Sequence, residues 1–411
     1  MSNSFGALNL VKNQISDLDT QLLRRQLRTT QSPCDIQVQV GESTLKAFCS
    51  NDYLGLANHP DLIHAMGSGA KQYGVGSGAS HLISGHNLAH ELLEKKLATF
   101  QASHIPDVRA LFFSTGYLAN LTVITGLTKI AQPGEASIYS AKLNHASIID
   151  GVRLASIQSK AHVTLFDHQD LDTLIVPLKS DQHSLKLIVI DGVFSMDGDL
   201  APVKKLLEIA EHYDALLMID DAHGFGVLGN QGHGLLEQEQ ICSERIIYIG
   251  TLGKAAGVSG AFVCATESFI EWLVQKGRPY IYSTATPPAI AHTVLKSLEL
   301  IEGPEGILRR QQLNKLIQIW QDEMQFSHWK KMLSATPIQP VIMGNNASAL
   351  LAAKLLNEAS YWIPAIRPPT VPQDSARLRI TFSANHSVGD VRELIRTLKV
   401  IEQQVNNEIQ S

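Results

Sequence analysis

A chain of 411 residues with 44% hydrophobic and 18% charged side chains has the balance of an ordinary globular protein. Its length predicts two or three domains with ample core, and a formal net charge of −5 argues against a nucleic-acid or anionic-membrane partner. Cys34, Cys49, Cys242 and Cys264 are scattered without CxxC or metal-ligand spacing, and no secretory apolar core or span-length apolar run is present. The expectation is a soluble, cytoplasmic protein with reduced thiols.

In chain order, Leu8, Val11, Ile15, Leu18, Leu22 and Leu23 recur at helical spacing and end in Arg24, Arg25 and Arg28. These arginines read either as a solvated basic helix end or as a clamp for carboxylate or phosphate. Alternation through Ile36, Val38 and Val40, then Leu45, Ala47 and Cys49, predicts a hairpin around Gly41-Glu42. It runs into SNDYLGL at 50–56. The glycine-rich GVGSGASHLISGH at 74–86 lacks the preceding strand and the spacing of a dinucleotide fingerprint. It reads as a flexible loop that approaches a ligand or a partner subunit. His86 and His90 stand four apart beside Glu91, but without HExxH order they read as structural rather than as metal ligands.

From residue 109 the pattern alternates between strand and helix. Residues 110–113 form an apolar run that leads through Ser114-Thr115-Gly116-Tyr117 into an apolar helix, an arrangement whose free amides and helix dipole attract phosphate. His145 precedes another helix and reads either as a plate for a flat cofactor or as part of a helix cap. The run 187–190 is continuously apolar, as in a parallel sheet covered on both faces, and stops at Asp191-Gly192-Val193-Phe194-Ser195. A second run, 215–219, stops at Asp220-Asp221-Ala222-His223-Gly224. Open α/β sheets bind their ligands at the carboxyl ends of such strands.

A third apolar run, 246–249, leads into Gly250-Thr251-Leu252-Gly253-Lys254. Lys254 either snorkels from a loop or, walled by small residues, is a desolvated amine of lowered pKa suited to Schiff-base chemistry. A phosphate-cradling Walker loop is excluded, because Tyr248 stands where its first glycine belongs and Ala255 where Ser or Thr must follow the lysine. Pyridoxal phosphate needs a lysine for its aldehyde, an acid for its ring nitrogen, donors for its phenolate and a helix end for its phosphate. From about residue 300 a second region follows, with strand-like 341–343 and 378–381, a shaped proline-rich loop at 366–372 and an amphipathic closing helix after Gly389.

With SNDYLGL at 50–56, GSGASHL at 76–82, DDAHG at 220–224, TLGK at 251–254, IYSTATPP at 281–288 and IRPPTVP at 366–372, the chain resembles the α-oxoamine synthases from about residue 20 to its end. These are fold-type-I enzymes that use pyridoxal 5′-phosphate. The resemblance implies an α/β fold, with a mostly parallel central sheet covered by helices on both faces and a smaller α/β carboxyl-terminal domain. The expected segments are an amino-terminal helix and hairpin at 1–50, a large cofactor domain at 51–290 and a small domain at 291–411.

The resemblance also assigns roles. Lys254 holds the cofactor, Asp220 pairs with the ring nitrogen, His223 and Ser195 bond the phenolate oxygen, and His145 stacks on the ring. Gly116, Tyr117 and Thr251 hold the phosphate, with Ser283 and Thr284 reaching in from a second subunit of a homodimer. Asn51 and Arg379 hold the amino-acid carboxylate, and Thr370 and Arg24, or its neighbour Arg25, contact the acyl substrate. No metal is expected. The implied reaction is that of the biotin-pathway branch, in which L-alanine condenses with a pimeloyl thioester of coenzyme A or acyl carrier protein. The alternative is a glycine user of the 2-amino-3-ketobutyrate ligase or 5-aminolevulinate synthase type, since Asp191 stands where the biotin branch often carries glutamate. A cofactor-binding but non-catalytic protein is disfavoured by the intact lysine, acid and histidine set, and an NAD-dependent oxidoreductase by the missing GxGxxG after a strand.

Overall fold

The computed structural model describes residues 6–410; residues 1–5 and 411, the ends of the first and last expected segments, lie outside them. The chain divides into two compact units, Asn51–Asn314 and a second made of the residues up to Ser50 together with those from Lys315 onward. This corrects the expected division into three segments. The cut at 290 fails because helix Pro288–Glu302 belongs with Pro60–Tyr73, where Ser68 Oγ lies 3.3 Å from His292 Nε2. The separate 1–50 segment fails because a lone two-stranded hairpin is marginal in water and needs a third strand. Here Ser43–Ala47 pairs antiparallel with Gln37–Val40 and parallel with Tyr361–Trp362.

The Asn51–Asn314 unit is built on seven strands: β1 (Val108–Phe113), β2 (Ala136–Ala141), β3 (His162–Phe166), β4 (Leu185–Asp191), β5 (Leu216–Asp220), β6 (Ile246–Thr251) and β7 (Ala261–Thr266). They lie in the order β3-β2-β4-β5-β6-β7-β1. β3 through β6 run parallel, and β7 is antiparallel to both β6 and β1. The carboxyl ends of β1, β2, β4, β5 and β6 therefore share one edge, where ligand sites form in open sheets. Both faces are covered, so the central strands are nearly pure apolar runs; Leu187, Ile188, Val189 and Ile190 are all fully buried. Helix Gly116–Leu127 is apolar all round because it lies within this core. Strand β7 has no counterpart in the sequence reading. Its entry requires Gly260, whose φ is +104° and where an added Cβ would lie 2.5 Å from the Phe112 ring.

The other unit holds the three-stranded sheet described above and a four-stranded antiparallel sheet in the order Lys330–Lys331, Ile338–Gly344, Ala376–Thr381, Ala365–Ile366. Helices Asn346–Glu358 and Val388–Gln410 pack against each other, and Trp320, Phe48 and Phe382 are fully buried. The Phe48 ring stacks on His386 at 4.0 Å between centroids, and Lys46 Nζ sits 2.7 Å from Asp390. The expected hairpin, late strands and closing helix are all present. The expected amino-terminal helix is shorter, Ala7–Thr20, so the three arginines lie beyond its end.

Candidate active site

Strands β4 and β5 end side by side: Asp191 and Asp220 are direct register partners, so both carboxyls project at the shared carboxyl edge. Together with the end of β6 and the loops after β1 and β2, they line a cavity of about 180 Å³. It gathers eight of the expected site residues: Gly116, Tyr117, His145, Ser195, Asp220, His223, Thr251 and Lys254.

Asp220 is held from two sides. Asn120 Nδ2 donates to its Oδ2 at 2.6 Å, and the Ala222 N–H donates to its Oδ1 at 3.0 Å. Asn120 Nδ2 also donates to Ser147 Oγ at 2.8 Å, so the Ser147 hydroxyl gives its own hydrogen to His145 Nδ1, 2.7 Å away. The Ser147 N–H also points at that nitrogen. With Nδ1 accepting, the proton of the neutral His145 ring lies on Nε2. Burial holds His145 below the ordinary imidazole pKa, opposed by the Asp220 charge and aided by Lys254. The ring is therefore neutral at pH 7.

Asp191 accepts the His145 N–H at 2.7 Å, and its own N–H donates to Asn144 Oδ1 at 2.9 Å. Burial and the neighbouring Asp220 charge push the Asp191 carboxyl well above the usual carboxylate range. Two buried acids side by side resist carrying two charges. Asp221 faces the other way, accepting from the Leu235 N–H at 2.6 Å and the Tyr248 hydroxyl at 2.8 Å, and burial pushes it up to about 7. The two adjacent acids thus separate into one for the cavity and one for the loop behind it.

Lys254 Nζ lies 2.9 Å from His223 Nε2, and His223 Nδ1 lies 2.6 Å from the hydroxyl of the fully buried Tyr53. Helix Gly116–Leu127 begins at the cavity with Thr115 as its N-cap, Thr115 Oγ1 accepting from the Leu118 N–H, so free amides face the space. The donor set fits pyridoxal phosphate: an amine, a doubly hydrogen-bonded acid, imidazole and hydroxyl donors, and a helix amino terminus.

Several expected residues lie elsewhere. Asn51 touches the site through Tyr53, whose hydroxyl is 3.1 Å from Asn51 Oδ1. Ser283 and Thr284 do not line the cavity, and Thr284 forms a strand-like bridge with Ser80. The Tyr117 hydroxyl donates to Asp150. Arg24, Thr370 and Arg379 belong to the other unit. There Arg24 pairs with Asp19 at 2.7 Å, whereas Arg25 Nη2 lies 3.5 Å from Thr370 Oγ1; the arginine beside Thr370 is Arg25, not Arg24. His90 is engaged at both ring nitrogens, accepting from the Asn87 N–H and donating to the Thr286 carbonyl, which makes it a helix cap and packing residue. Sequence reasoning gave no role to Asn120, Ser147 or Tyr53, and marked Asp191 only as the charge that ends a buried strand. Asn120 carried a signal, as an amide one turn into an otherwise apolar buried helix.

Over residues 44–398 the sequence matches the family described as aminotransferase class I and II. The chain belongs to that family. An 8-amino-7-oxononanoate synthase from Janthinobacterium sp. (strain Marseille) is 52% identical over 394 residues, covering 96% of this chain and 98% of that protein. Another, from Bordetella petrii, is 51% identical over 385 residues, covering 94% and 95%. The solved 8-amino-7-oxononanoate synthase of Francisella tularensis superposes with a TM-score of 0.72 at 30% identity, covering 89% of this chain and 99% of that one. A serine palmitoyltransferase from S. paucimobilis with PLP bound has a TM-score of 0.87 at 23% identity, covering 98% and 100%, a likeness of fold. The expected fold class and cofactor family are thereby established.

Proposed function

We propose that the protein condenses L-alanine with a pimeloyl thioester of coenzyme A or acyl carrier protein, giving 8-amino-7-oxononanoate, CO2 and the free thiol for biotin synthesis. The observation that carries this reading is the 52% identity to a synthase of that name, on a chain whose lysine, acid and two histidines line one cavity. In the reaction the alanine Cα–H bond breaks, Cα bonds to the thioester carbon as the thiol leaves, and the original carboxylate departs as CO2. Pyridoxal phosphate, when bound, supplies the aldehyde and a protonated ring that stabilises charge at Cα.

The protein's part is positioning and proton placement. Asp220, kept as an acceptor by Asn120 and the Ala222 N–H, would pair with the ring nitrogen of the bound cofactor and keep it protonated. Lys254 first anchors the cofactor, then removes and later returns the proton at the alanine Cα. His223 and Ser195 would bond the phenolate oxygen of the bound cofactor, and the neutral His145 ring, its proton on Nε2, would lie against it without adding a charge that would weaken the Asp220 interaction. Gly116, Tyr117 and Thr251 hold the phosphate at the helix amino terminus. Asn51 and Arg379 would hold the amino-acid carboxylate and so choose which bond at Cα breaks. Arg25 with Thr370 receives the acyl chain.

The enzyme acts as a cytoplasmic homodimer whose partner supplies Ser283 and Thr284 to the phosphate. Tyr282 is 71% exposed, and Val75 and Ile83 are 83% and 80% exposed, apolar surface that a second copy would cover. Among the described residues, no helix is long and apolar enough to cross a membrane. Steady-state assay of alanine and glycine against pimeloyl, acetyl and succinyl thioesters tests the reading. The expected outcome is turnover of alanine with the pimeloyl donor; a preference for glycine with acetyl or succinyl donors would replace it with the glycine-using alternative.

A further inference from the structure

The Tyr53 hydroxyl lies between two partners, His223 Nδ1 at 2.6 Å and Asn51 Oδ1 at 3.1 Å, while the opposite ring nitrogen, His223 Nε2, lies 2.9 Å from Lys254 Nζ. A phenol carries one hydrogen, a carboxamide oxygen carries none, and a neutral imidazole protonates one nitrogen. Those counts fix the direction of the whole chain. The Tyr53 O–H donates to Asn51 Oδ1, so its oxygen accepts from His223 Nδ1–H. The imidazole lone pair then sits on Nε2, where the Lys254 ammonium donates to it. In the reverse order Nε2–H would face the ammonium, donor against donor, and Asn51 Oδ1 would lose the phenol's hydrogen.

We propose that Tyr53 is a positioning residue that fixes His223 as the Nδ1-protonated tautomer and presents the Nε2 lone pair to Lys254 as the acceptor of its proton. The proposal rests on the reading of Lys254 as the cofactor lysine. An ammonium must lose a proton before its nitrogen can attack an aldehyde. That proton leaves Nζ and arrives at Nε2, giving an imidazolium whose Nδ1–H is still held by the Tyr53 oxygen. Tyr53 and Asn51 keep their own hydrogens throughout. The imidazolium's Nε2–H is then a donor, as required of a residue that bonds a phenolate oxygen. Which nitrogen of a histidine is protonated is set by the hydrogen bond at the other nitrogen. The two cavity histidines are thereby set in opposite senses: Ser147 places the His145 proton on Nε2, and Tyr53 places the His223 proton on Nδ1. Asn51, whose amide is expected to hold the substrate carboxylate, is thus joined to the reacting amine by three hydrogen bonds.

The test is 15N spectroscopy of the full-length protein labelled at histidine and free of cofactor, with His223 assigned by the signal lost in His223→Asn. The expected wild-type pattern is a protonated-type Nδ1 and a lone-pair-type Nε2; protonation at Nε2 would overturn the proposal whether or not any variant folds. In Tyr53→Phe the two signals should move toward averaged values. The same variant, reconstituted with cofactor, should lose about 10- to 100-fold in kcat, the effect of removing a hydrogen bond to a charged group, with KM for alanine changed less than about twofold. A variant that merely melts earlier, with tautomer and kcat unchanged, would show that Tyr53 only packs, and the proposal would fail. Borohydride reduction and mass spectrometry of the wild type separate this from the underlying reading. An adduct on a lysine other than Lys254 removes the catalytic purpose of the arrangement while leaving the tautomer result standing.

Discussion

The strand-end cavity of one unit and the arginine-lined pocket of the other both present polar side chains, but they are built in opposite ways. In the cavity, Asp220, Asn120, Ser147, His145 and Asp191 form one connected chain of hydrogen bonds of 2.6–2.8 Å, and all but His145 are buried. In the pocket, of about 270 Å³, Arg25 and Thr370 are exposed and their contact is 3.5 Å long. The difference teaches a division of labour. Groups that hold protons at chosen atoms are fixed by buried neighbours, which makes each one expensive to remove. The pocket groups, proposed to receive an acyl chain, are solvated and individually weak.

That contrast predicts an ordering of mutational effects. Lys254→Ala should remove turnover by about 10⁴-fold or more, because it deletes the residue proposed as both cofactor anchor and base. The visible band of bound cofactor should vanish while far-UV circular dichroism stays unchanged. Residual activity within a hundredfold of wild type would break the assignment of the cavity. Asp220→Ala should come next, with a loss of about 10²–10³ in kcat from an electrostatic partner withdrawn from a preorganised site. The cofactor should still bind, as read from its absorbance. A change in KM alone would place Asp220 among the weak contacts instead.

A third experiment asks whether the cavity is complete within one chain. Lys254→Ala and Ser283→Asp are each expected to be inactive. Co-expressed in a dimer that shares its sites, one site of each mixed dimer collects both defects and the other neither. With half the dimers mixed, about a quarter of all sites recover. Activity no higher than either variant alone, despite confirmed mixed dimers, would show that each site is built within one chain. The smallest effect belongs to the pocket. Arg25→Ala should raise KM for the pimeloyl thioester about tenfold with little change in kcat. Arg24→Ala, which only frees Asp19, should change neither by more than about twofold. The reverse ranking would return the substrate contact to Arg24.

The same contrast governs how much the sequence reveals. The acids at 191 and 220 were legible because a buried strand is an apolar run, and the first charge after it marks the carboxyl edge. Lys254 was legible for the same reason, after β6. The relay from Asn120 through Ser147 to His145 was not, because its members sit on different helices and acquire meaning only when packing brings them together. Arg24 and Arg25 could not be told apart because the helix ends at Thr20, and beyond it no periodicity dictates which way a side chain points. Strand β7 has no counterpart in the sequence reading, although 261–265 is an apolar run. The division of the chain was misjudged because the partner of an early strand lies far along the sequence.

That distant partner imposes an order on synthesis. The strand Ser43–Ala47 leaves the ribosome early, yet Tyr361–Trp362, beside which it lies, is made about 300 residues later. At roughly 5–20 residues per second, the early strand waits about 15–60 s for its neighbour. Asn51–Asn314, by contrast, is one continuous stretch that needs no later segment to complete its sheet. Nascent chains stalled near residue 350 should therefore show a protease-resistant Asn51–Asn314 body and a readily cleaved leading segment. Equal protection of both would mean that the opening hairpin finds another shelter while it waits.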